Sequence, residues 1–385
     1  MSLKNTYVAG IFEHPTRKAV DLSVAEIHAE CARGALADAG LSFEDVDGYF
    51  CAGDAPGLGP MSLAEYMNLD LRHMNSTDVG GSSYILDVGH AAQAIAQGKC
   101  SVALVTLGGR PRAAGAKSAA MRPSEAPDVP FESAYGPMVT SMYGMVAQRH
   151  MYEFGTTSEQ LAWIKVAASH HAQHNPHAML RDVVTVEDVV SSPLVADPLH
   201  RLDCCVVSDG GGAVVLVSED VARSLDRPKV RVRGAGEALK HASGGQVDLT
   251  YSGGVKSGRA AFDEAGVTPA DIKYASIYDS FTITVLVTLE DLGFCEKGKG
   301  GAFVADGNLI SGQGRLPFNT DGGGLCSNHP ANRGGMTKIL EAVRQLRGEA
   351  HPAVQVPNCD LALAHGTGGS LATRHGSATV ILERV

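Results

Sequence analysis

A histidine in a glycine-rich loop is the residue whose setting first predicts chemistry in this sequence. Residues 316–335 read LPFNTDGGGLCSNHPANRGG, so glycines stand on both sides of His329. Glycines permit positive φ and a close approach of the backbone to a ligand, and an imidazole exchanges protons near neutral pH. The loop therefore predicts an acid–base histidine. The alternative is an incidental histidine in a surface loop.

Two serines stand at the start of a predicted helix. Gly80 and Gly81 precede Ser82 and Ser83, and small residues then continue to Gly98. Backbone N–H groups at a helix start can stabilise a developing oxyanion, and a serine hydroxyl beside a histidine base can act as a nucleophile. The alternative is that the two serines only cap the helix, which is a common role of serine.

Cysteine and histidine spacing does not predict a metal site. The eight cysteines form no CxxC pair, so zinc and redox motifs are weak candidates. The segment HHAQHNPH at 170–177 has no Asp or Cys at partner spacing, and we expect a solvated helix end there. Cys326, three residues before His329, is either a displaced nucleophile or a buried small residue; free cysteines are commonly buried.

The composition indicates a globular protein outside the nucleic-acid-binding classes. Of the 385 residues, 44% are hydrophobic and 19% are charged, with a formal net charge of −10. Phosphate binding needs clustered Lys and Arg, so no nucleic-acid partner is expected. The start of the chain lacks the basic and apolar regions of a signal peptide, and no apolar stretch is long enough to span a bilayer. We expect a cytoplasmic protein with no membrane partner.

Apolar runs and helical periodicity alternate along the chain. A near-continuous apolar run is typical of a strand covered on both faces, and apolar residues at helical spacing are typical of a helix. The predicted strands are 7–12, 45–50, 101–107, 230–236 and 361–364, with a further strand ending at 217. The predicted helices are 22–39, 80–98, 138–154 and 218–228, with a capped helix from Thr157. This alternation predicts an α/β fold with mainly parallel sheets.

The second half of the chain repeats the first. ALADAG at 35–40 matches AFDEAG at 261–266, and each is followed by an acidic turn and a strand. In the same order, AIAQG at 94–98 and AVRQLRG at 342–348 each precede a strand. Two matches that share the helix-then-strand order indicate a duplicated unit.

The repeat predicts two domains, 1–225 and 226–385, with a loop excursion at 108–197 in the first half only. In such a duplicated α/β fold, a helix start from each half can face the other across a pseudo-twofold axis. A site there would combine Ser82 with residues near His329.

Six segments spread along the chain carry a resemblance to a known family. They are LDCCVVSDGGGAVVL at 202–216, YDSFTI at 278–283, LEDLGF at 289–294, LPFNTDGGGLCSNHP at 316–330, QLRGEA at 345–350 and LALAHGTGGS at 361–370. In this combination the sequence resembles the thiolase superfamily, in the branch that contains the thiolase domain of sterol carrier protein x and the lipid-transfer-protein-like thiolases. The resemblance implies a thiolase fold, with two duplicated α/β halves packed as an αβαβα sandwich.

The resemblance implies four catalytic positions. His329 matches the histidine of a GHP turn, although Asn328 replaces the glycine, and His365 in AHGTGG matches the second acid–base residue. Tyr278 stands where an Asn or His usually completes the oxyanion hole. Ser82 falls at or beside the position of the nucleophile, and there is no cysteine at that position.

The same resemblance implies a set of substrate-binding residues around these positions. They are Ser83, Asp279, Asn319, Gly366 and Gly368. For Asp279, the alternatives are that its carboxylate acts as an acid–base group or that it fixes the turn in which it stands.

Three functions stay open on the sequence. The first is an aldol or retro-aldol reaction. It needs a base, an oxyanion hole and an acyl-CoA pocket but no nucleophilic cysteine, and Tyr278 would donate a proton to the β-oxygen or take one from it. The second function is a thiolase-type acyl transfer that uses Ser82 or another nucleophile. The third is a non-catalytic acyl-CoA-binding or scaffold subunit. We expect an enzyme, because a scaffold has no need of His329 and His365 in glycine turns.

The resemblance also implies the ligands and partners of the chain. The expected substrate is a CoA thioester, with no cofactor and no metal bound by this chain. The expected assembly is a homodimer or larger, and a small zinc-bearing OB-fold protein is the expected partner subunit.

Overall fold

The computed structural model describes residues 3–53, 55–115, 129–241, 243–330 and 334–385. The strands are β1 Thr6–Glu13, β2 Gly48–Ala52, β3 His73–Thr77, β4 Val102–Gly109, β5 Leu194–Ala196, β6 Leu199–His200, β7 Gly210–Ser218, β8 Val230–Leu239, β9 Tyr274–Ile277, β10 Leu361–Ser370 and β11 Thr373–Arg384. The α-helices are α1 Val24–Ala39, α2 Pro60–Tyr66, α3 Ser83–Ala96, α4 Val129–Ser133, α5 Val139–Phe154, α6 Ser158–Ala172, α7 Val186–Val190, α8 Glu219–Arg223, α9 Gly254–Ala265, α10 Thr282–Asp291, α11 Gly300–Val304 and α12 Gly335–Arg347. A π-helical turn, Gly323–Ser327, lies just before His329.

Nine strands form one sheet in which the second half repeats the first. The order is β3-β2-β4-β7-β1-β8-β11-β10-β9. β1 pairs antiparallel with β7, β7 antiparallel with β4, and β4 parallel with β2. In the second half, β8 pairs antiparallel with β11, β11 antiparallel with β10, and β10 parallel with β9. The repeated topology agrees with an internal duplication.

The sheet is mixed, so the prediction of mainly parallel sheets is wrong. The last strand of each half, β7 and β11, pairs antiparallel on both of its edges. β10 and β11 are joined by only a short turn, and a short connection between neighbouring strands requires antiparallel pairing. The apolar patterns predicted that the strands are buried on both faces. Such patterns do not distinguish parallel from antiparallel pairing.

Glycine ends the matching helices of both halves. α1 ends at Gly40 with φ 73° and α9 ends at Gly266 with φ 65°. Gly98 follows α3 with φ 70°, and α12 ends at Gly348 with φ 73°. Because glycine adopts this left-handed conformation at little cost, the repeated glycines mark helix ends. The predicted boundary at residue 225 lies between α8 and β8, and the division into domains there stays a prediction.

Two helices occupy the middle of the molecule. α3 and α12 pack against strands of both halves, whereas α1 covers β1, β4 and β7, and α9 covers β8 and β11. Small residues of α3 such as Ala91 and Ala92 are fully buried, and α12 is buried along nearly its whole length. Small side chains let a helix pack closely against the strands on either side of it. α3 and α12 therefore lie between the two halves of the sheet, and α1 and α9 cover the outer faces. This arrangement agrees with the αβαβα sandwich that the resemblance implies.

The excursion between β4 and β7 consists largely of helices. α5 and α6 pack against α10, and the Thr157 side chain caps α6 as predicted. Residues 116–128 of the predicted excursion lie outside the described residues. His171, near the end of α6, is 1% exposed and accepts a hydrogen bond from the Ser311 N–H at 2.9 Å. The prediction of a solvated helix end at 170–177 is therefore wrong for His171.

Membrane spans and metal clusters are absent from the part of the chain that the structure describes. No helix there is long and apolar enough to cross a bilayer. No three His, Cys, Asp or Glu side chains there are grouped so that they could hold a metal ion. The eight cysteines are free thiols.

Candidate active site

The starts of the two central helices meet, as the duplication predicts. A short 3-10 turn, Gly80–Ser82, leads into α3, and α12 begins at Gly335. A Cβ on Gly335 would overlap the carbonyl oxygen of Gly81, so a glycine permits this approach. The junction of the two helix starts places residues from both halves around one point.

Tyr278 and His329 form a buried pair at this junction. Tyr278 directly follows β9, and its hydroxyl oxygen is 2.8 Å from Nε2 of His329. The two residues are 5% and 8% exposed. Because burial disfavours a charge, it lowers the pKa of His329 to about 4 and raises the pKa of Tyr278 well above its ordinary value. Both groups are therefore neutral at pH 7, and one proton can pass between them.

Ser208 fixes the backbone of His329. The Ser208 hydroxyl accepts a hydrogen bond from the His329 N–H at 2.8 Å and donates one to Oδ1 of Asn328 at 2.8 Å. Asn328 Nδ2 in turn donates to Oε1 of Glu13 at 2.9 Å. Ser208 was not among the residues predicted from the sequence, and its signal is its place two residues before the glycines that open β7.

Asp279 holds the π-helical turn that precedes His329. Its carboxylate accepts hydrogen bonds from the Gly324 N–H at 2.8 Å and the Leu325 N–H at 3.1 Å. It also pairs with Lys338 on α12 at 2.8 Å, and both charged residues are 1% exposed. These contacts fit the turn-fixing alternative for Asp279, and its predicted contact with substrate stays a prediction.

Removing the buried cation of this ion pair is expected to cost far more stability than removing an exposed one. In Lys338→Met, Asp279 loses its charge partner while it stays buried, which typically costs about 3–5 kcal/mol. Arg223→Met is the matched control, because the Arg223 side chain is 66% exposed in its pair with Glu219 and such pairs contribute about 0–1 kcal/mol. Urea unfolding measures both variants. Equal, small losses would contradict the role of the ion pair in holding the turn.

Asn319 has a structural role of the same kind. Its Oδ1 accepts a hydrogen bond from the Ile277 N–H, and its Nδ2 donates to the Ile277 carbonyl, both at 2.8 Å. Asn319 is fully buried. The two bonds fix the end of β9 directly before Tyr278, so Asn319 positions the phenol. Its predicted contact with substrate stays a prediction.

The hydroxyls at the start of α3 are engaged by the preceding turn. Ser82 Oγ donates to the Val79 carbonyl at 2.7 Å, and Ser83 Oγ accepts from the Val79 N–H at 3.1 Å. Ser82 makes no capping hydrogen bond to α3. The structure therefore places Ser82 at the predicted helix start, with its hydroxyl directed to a backbone carbonyl. The predicted roles of Ser82 as nucleophile and Ser83 as substrate contact stay predictions.

The ring of Tyr278 fills the space beside the start of α3. A Cβ on Gly81 would overlap the Tyr278 ring and the carbonyl oxygen of Thr367. Any nucleophilic side chain at residue 81 would require both neighbours to move, which a close-packed site resists. The phenol thus stands where a nucleophile from this helix start would meet His329.

His365 lies on the far face of β10. Its Nδ1 is 2.8 Å from Oγ1 of Thr379, and its Nε2 is 3.1 Å from Oγ of Ser377. Thr379 Oγ1 lies 3.0 Å from a serine hydroxyl on α9, whereas a Cβ on Gly366 would lie 2.9 Å from Cα of Ser82. Because successive strand residues point to opposite faces, His365 faces the outer helix layer and Gly366 faces the site.

The structure thus does not bring the imidazole of His365 to that of His329, and a catalytic role for His365 stays a prediction. Gly366 and Gly368 pack against the chain before α3, where a Cβ on Gly368 would overlap the Val79 carbonyl oxygen. These glycines let β10 approach the helix start. Their contact with substrate likewise stays a prediction.

A second tyrosine, from the excursion, lies near Tyr278. Tyr143 on α5 stacks on Phe281 with ring centroids 4.4 Å apart and is 3% exposed. Burial raises the pKa of Tyr143 to about 12, and a charge on it would raise the pKa of Tyr278 further. Two neutral phenols therefore share one buried environment. The sequence offered no spacing that links residue 143 to residue 278.

Thiols near the site are poor nucleophiles. Burial raises the pKa of Cys205, which lies in the environment of Tyr278. Burial also raises the pKa of Cys326 in the π-helical turn. Because the thiolate is the reactive form, neither cysteine is prepared for acylation at neutral pH. Cys326 is fully buried, which agrees with the alternative of a buried small residue.

Five buried histidines predict a loss of stability in mild acid. Burial lowers the pKa of each of them to about 3 or 4. They are His28, His171, His329, His365 and His375. An unfolded histidine titrates near 6.5, so below that pH the unfolded chain binds protons that the folded chain excludes. Each histidine then removes up to about 2 kcal/mol of unfolding free energy between pH 7 and pH 5.

Urea unfolding at pH 7 and at pH 5 measures this effect, and the midpoint is expected to fall. Asp321 has the opposite effect on the unfolding free energy, because burial raises its pKa to about 7 and the folded chain therefore takes up this proton first. The effect of this one group is smaller than the summed effect of the five histidines. His171→Gln should weaken the pH dependence. A midpoint that does not change with pH would contradict the burial of these imidazoles in neutral form.

Comparison with known proteins yields relatives that cover nearly the whole chain. Residues 236–384 match the family described as thiolase C-terminal domain-like. The chain is 32% identical over 378 residues to an acetyl-CoA acetyltransferase of Methanothermobacter thermautotrophicus, with 96% of this chain and 98% of that protein covered. It is 34% identical over 353 residues to the 17-hydroxy-3-oxo-4-pregnene-20-carboxyl-CoA lyase of Mycobacterium tuberculosis, with 85% and 87% covered.

A solved structure shows the same architecture. The chain is similar to the Ltp2-ChsH2(DUF35) aldolase with a TM-score of 0.88 and 31% identity, covering 99% of this chain and 98% of that chain. The three relatives are thus named as an acetyltransferase, a lyase and an aldolase.

Proposed function

Because this chain belongs to the thiolase superfamily, in its sterol-carrier-protein-like branch, we propose that it cleaves or forms a C–C bond of an acyl-CoA thioester by a non-covalent aldol or retro-aldol reaction. The thiolase fold predicted from the sequence is confirmed by these matches. The observation that carries the reaction is the buried pair of Tyr278 and His329, 2.8 Å apart. The relatives named lyase and aldolase support the same reaction class.

The pair can remove a proton from a β-hydroxyl group. With the imidazole proton on Nδ1, the Tyr278 O–H donates to Nε2 of His329. As the phenol oxygen takes the proton of the substrate hydroxyl, its own proton passes to Nε2. Burial opposes the imidazolium that forms, and the nearby Asp279 carboxylate favours it. The proton of the β-hydroxyl is thereby held on His329.

Loss of that proton lets the C–C bond break. The β-oxygen becomes a carbonyl, the bond between the α- and β-carbons breaks, and its electron pair moves into the thioester as an enolate. Backbone N–H groups at the starts of α3 and α12 stabilise the enolate oxygen. A proton returned to the α-carbon completes the shortened acyl-CoA. The substrate class is therefore a β-hydroxyacyl-CoA.

Acyl transfer of the thiolase type is the second candidate, and the similarity to an acetyl-CoA acetyltransferase favours it. That reaction needs a nucleophile beside His329. The hydroxyl of Ser82 donates instead to the Val79 carbonyl, and Tyr278 fills the space beside Gly81. The non-covalent reaction uses Tyr278 and His329 in the positions that they occupy. We therefore prefer it to acyl transfer.

A substrate panel separates these candidates. The protein, purified under native conditions, is incubated with a β-hydroxyacyl-CoA and with the matching β-ketoacyl-CoA, each with and without free CoA. We expect cleavage of the hydroxy compound alone, at a rate independent of CoA. Cleavage of the keto compound that requires CoA would establish acyl transfer instead. Tight binding of both compounds without any turnover would support the scaffold function.

We further propose that the chain assembles as a dimer with a small zinc-bearing OB-fold partner subunit. The similar aldolase structure names Ltp2 together with ChsH2(DUF35), which supports a two-component enzyme. β3 is the last strand at one edge of the described sheet, and an open strand edge is a common pairing surface. Light scattering on the natively purified protein should show at least two copies and a second, zinc-containing polypeptide. A fully active monomer would contradict this proposal.

A further inference from the structure

One face of helix α5 carries a stripe of three exposed apolar side chains. Met138, directly before the helix, is 43% exposed, Met145 is 54% exposed and Tyr152 is 84% exposed. Successive members are seven residues apart, which is close to two helical turns, so the three lie along one line of the helix. Large apolar side chains that are exposed together mark an interaction surface. The stripe is separate from the buried face of α5 that carries Tyr143.

A groove lies beside the stripe and extends the apolar surface. It has a volume of about 670 Å³ and is lined by side chains of α5 together with Ala196, Asp197 and Leu249. In the adjoining strand β5, Leu194 and Val195 are exposed as well. The side chains of one helix form ridges that fit the grooves beside another helix. The excursion thus presents a ridge and a groove on the same surface.

The stripe is complementary to itself. Met138 lies seven residues before Met145, and Tyr152 lies seven residues after it. Two antiparallel copies of α5 that cross at Met145 therefore place Met138 of each copy against Tyr152 of the other. A methionine thioether packs favourably against an aromatic ring. A twofold-symmetric contact uses the same patch on both copies and requires this self-complementarity.

The polar side chains beside the stripe already have partners within the chain. Arg149 pairs with Glu153 on the same helix, and Nε2 of Gln148 donates a hydrogen bond to Oδ2 of Asp197 at 2.7 Å. In the antiparallel arrangement each Arg149 lies four residues from the axis, so the two arginines are about 12 Å apart along the helix. This separation exceeds the Debye length of about 8 Å at physiological ionic strength. Contact between two copies therefore buries no unpaired charge and brings no like charges together.

We propose that the exposed face of α5 binds a second copy of this chain, with the two helices antiparallel and Met145 on the twofold axis. The surface belongs to the excursion, whereas the strand edge at β3 belongs to the sheet. A chain that uses both contacts assembles beyond the dimer, and two different twofold contacts that close give a tetramer. This inference does not depend on the reaction proposed for Tyr278 and His329.

Cysteine cross-linking tests the register, because only a residue on the twofold axis meets its own copy. Met145→Cys, oxidised with copper phenanthroline, should give a covalent dimer of the chain on a non-reducing gel. Met138→Cys and Tyr152→Cys should each give none, whereas the variant with both changes should cross-link. These two positions are about 21 Å apart on one helix, so no disulfide can join them within one chain. Val255→Cys on α9 is the matched control, since Val255 is 46% exposed, and the wild type gives the background of the native cysteines.

Light scattering provides a second measurement without a covalent step. Met145→Lys places two like charges at the axis, so the mass of the assembly should fall by half. Val255→Lys adds the same charge on the outer helix layer and should leave the mass unchanged. Neither readout uses catalytic activity, so failure of this proposal is distinct from failure of the proposed reaction.

Four outcomes would overturn the proposal. One is a Met145→Cys protein that cross-links no more than the wild type. The second is a covalent dimer of Met138→Cys alone that forms as fully as that of Met145→Cys. The third is an unchanged assembly mass in Met145→Lys. The fourth is a Met145→Cys protein linked only to a different, copurified polypeptide, which would assign the surface to that partner.

Discussion

Replacing Tyr278 by phenylalanine is expected to lower kcat by about 10²- to 10⁴-fold, which is the range for a positioned acid–base group. The change removes only the phenol oxygen, which lies 2.8 Å from Nε2 of His329. The ring that packs on Gly81 is kept, so the site should retain its shape. Without the oxygen, the substrate β-hydroxyl has no group through which its proton can reach the imidazole. Steady-state kinetics with a β-hydroxyacyl-CoA measure the loss.

Tyr49→Phe is the matched control for this variant. Tyr49 is fully buried in β2, and its hydroxyl lies 2.7 Å from Oγ1 of Thr106. Removing that hydroxyl should cost about 1 kcal/mol of stability, the usual net value of a hydrogen bond, and leave kcat unchanged. Equal losses of kcat in both variants would indicate a general effect of removing buried phenols. An unchanged kcat in Tyr278→Phe would remove the phenol from the reaction.

His329→Gln is expected to cause a loss of similar size, about 10²- to 10⁴-fold in kcat/KM. Glutamine keeps a hydrogen-bonding group near Tyr278, but an amide does not take up the proton. Because burial lowers the pKa of His329 to about 4, the wild-type rate should show no decline near pH 6.5. A decline centred near 6.5 would mean that this imidazole is exposed to water during turnover.

A control variant, His171→Gln, and a double variant test whether His329 acts together with Tyr278. His171→Gln replaces a buried histidine whose Nε2 accepts a hydrogen bond from the Ser311 N–H. An amide oxygen can accept the same bond. It should leave kcat/KM unchanged. Groups that act as a unit have strongly non-additive effects, so Tyr278→Phe combined with His329→Gln should lose little more than either change alone. Additive losses would show that the two residues act independently.

Much of the architecture could be predicted because glycine positions and periodicity report the local backbone. Gly40 and Gly266 end matching helices in the two copies of the repeat. Glycine is the usual residue at a left-handed helix end, so such ends can be predicted from the sequence. The same reasoning placed Ser82 and the His329 loop at two helix starts, which the structure brings together. Local geometry and the repeat were therefore sufficient to predict that these two helix starts meet.

The face of β10 on which the His365 side chain lies could not be predicted from its motif. In a strand, a shift of one residue moves a side chain to the opposite face, and the letters AHGTGG do not fix that register. The packing of β10 against α3 does so, since Gly366 faces Ser82 while His365 binds Thr379 and Ser377. The motif placed His365 in or beside a strand, but it did not determine which face of that strand the side chain occupies.

The support of His329 was also beyond sequence reasoning. Ser208, Asn328 and Glu13 form a chain of hydrogen bonds that joins β1 to the loop before α12. These residues are far apart in sequence, and polar contacts between distant segments follow no periodic pattern. Tyr143 is a similar case, since only the packing of α5 brings it to Phe281.

Intact-protein mass spectrometry during turnover tests the non-covalent reaction most directly. The enzyme is mixed with a β-hydroxyacyl-CoA in the absence of free CoA, and acid-quenched samples are analysed for product and for the mass of the chain. We predict that the substrate is cleaved while the protein mass stays unchanged at every time point. An increase equal to the acyl group, mapped to Ser82 and lost in Ser82→Ala together with activity, would contradict the account.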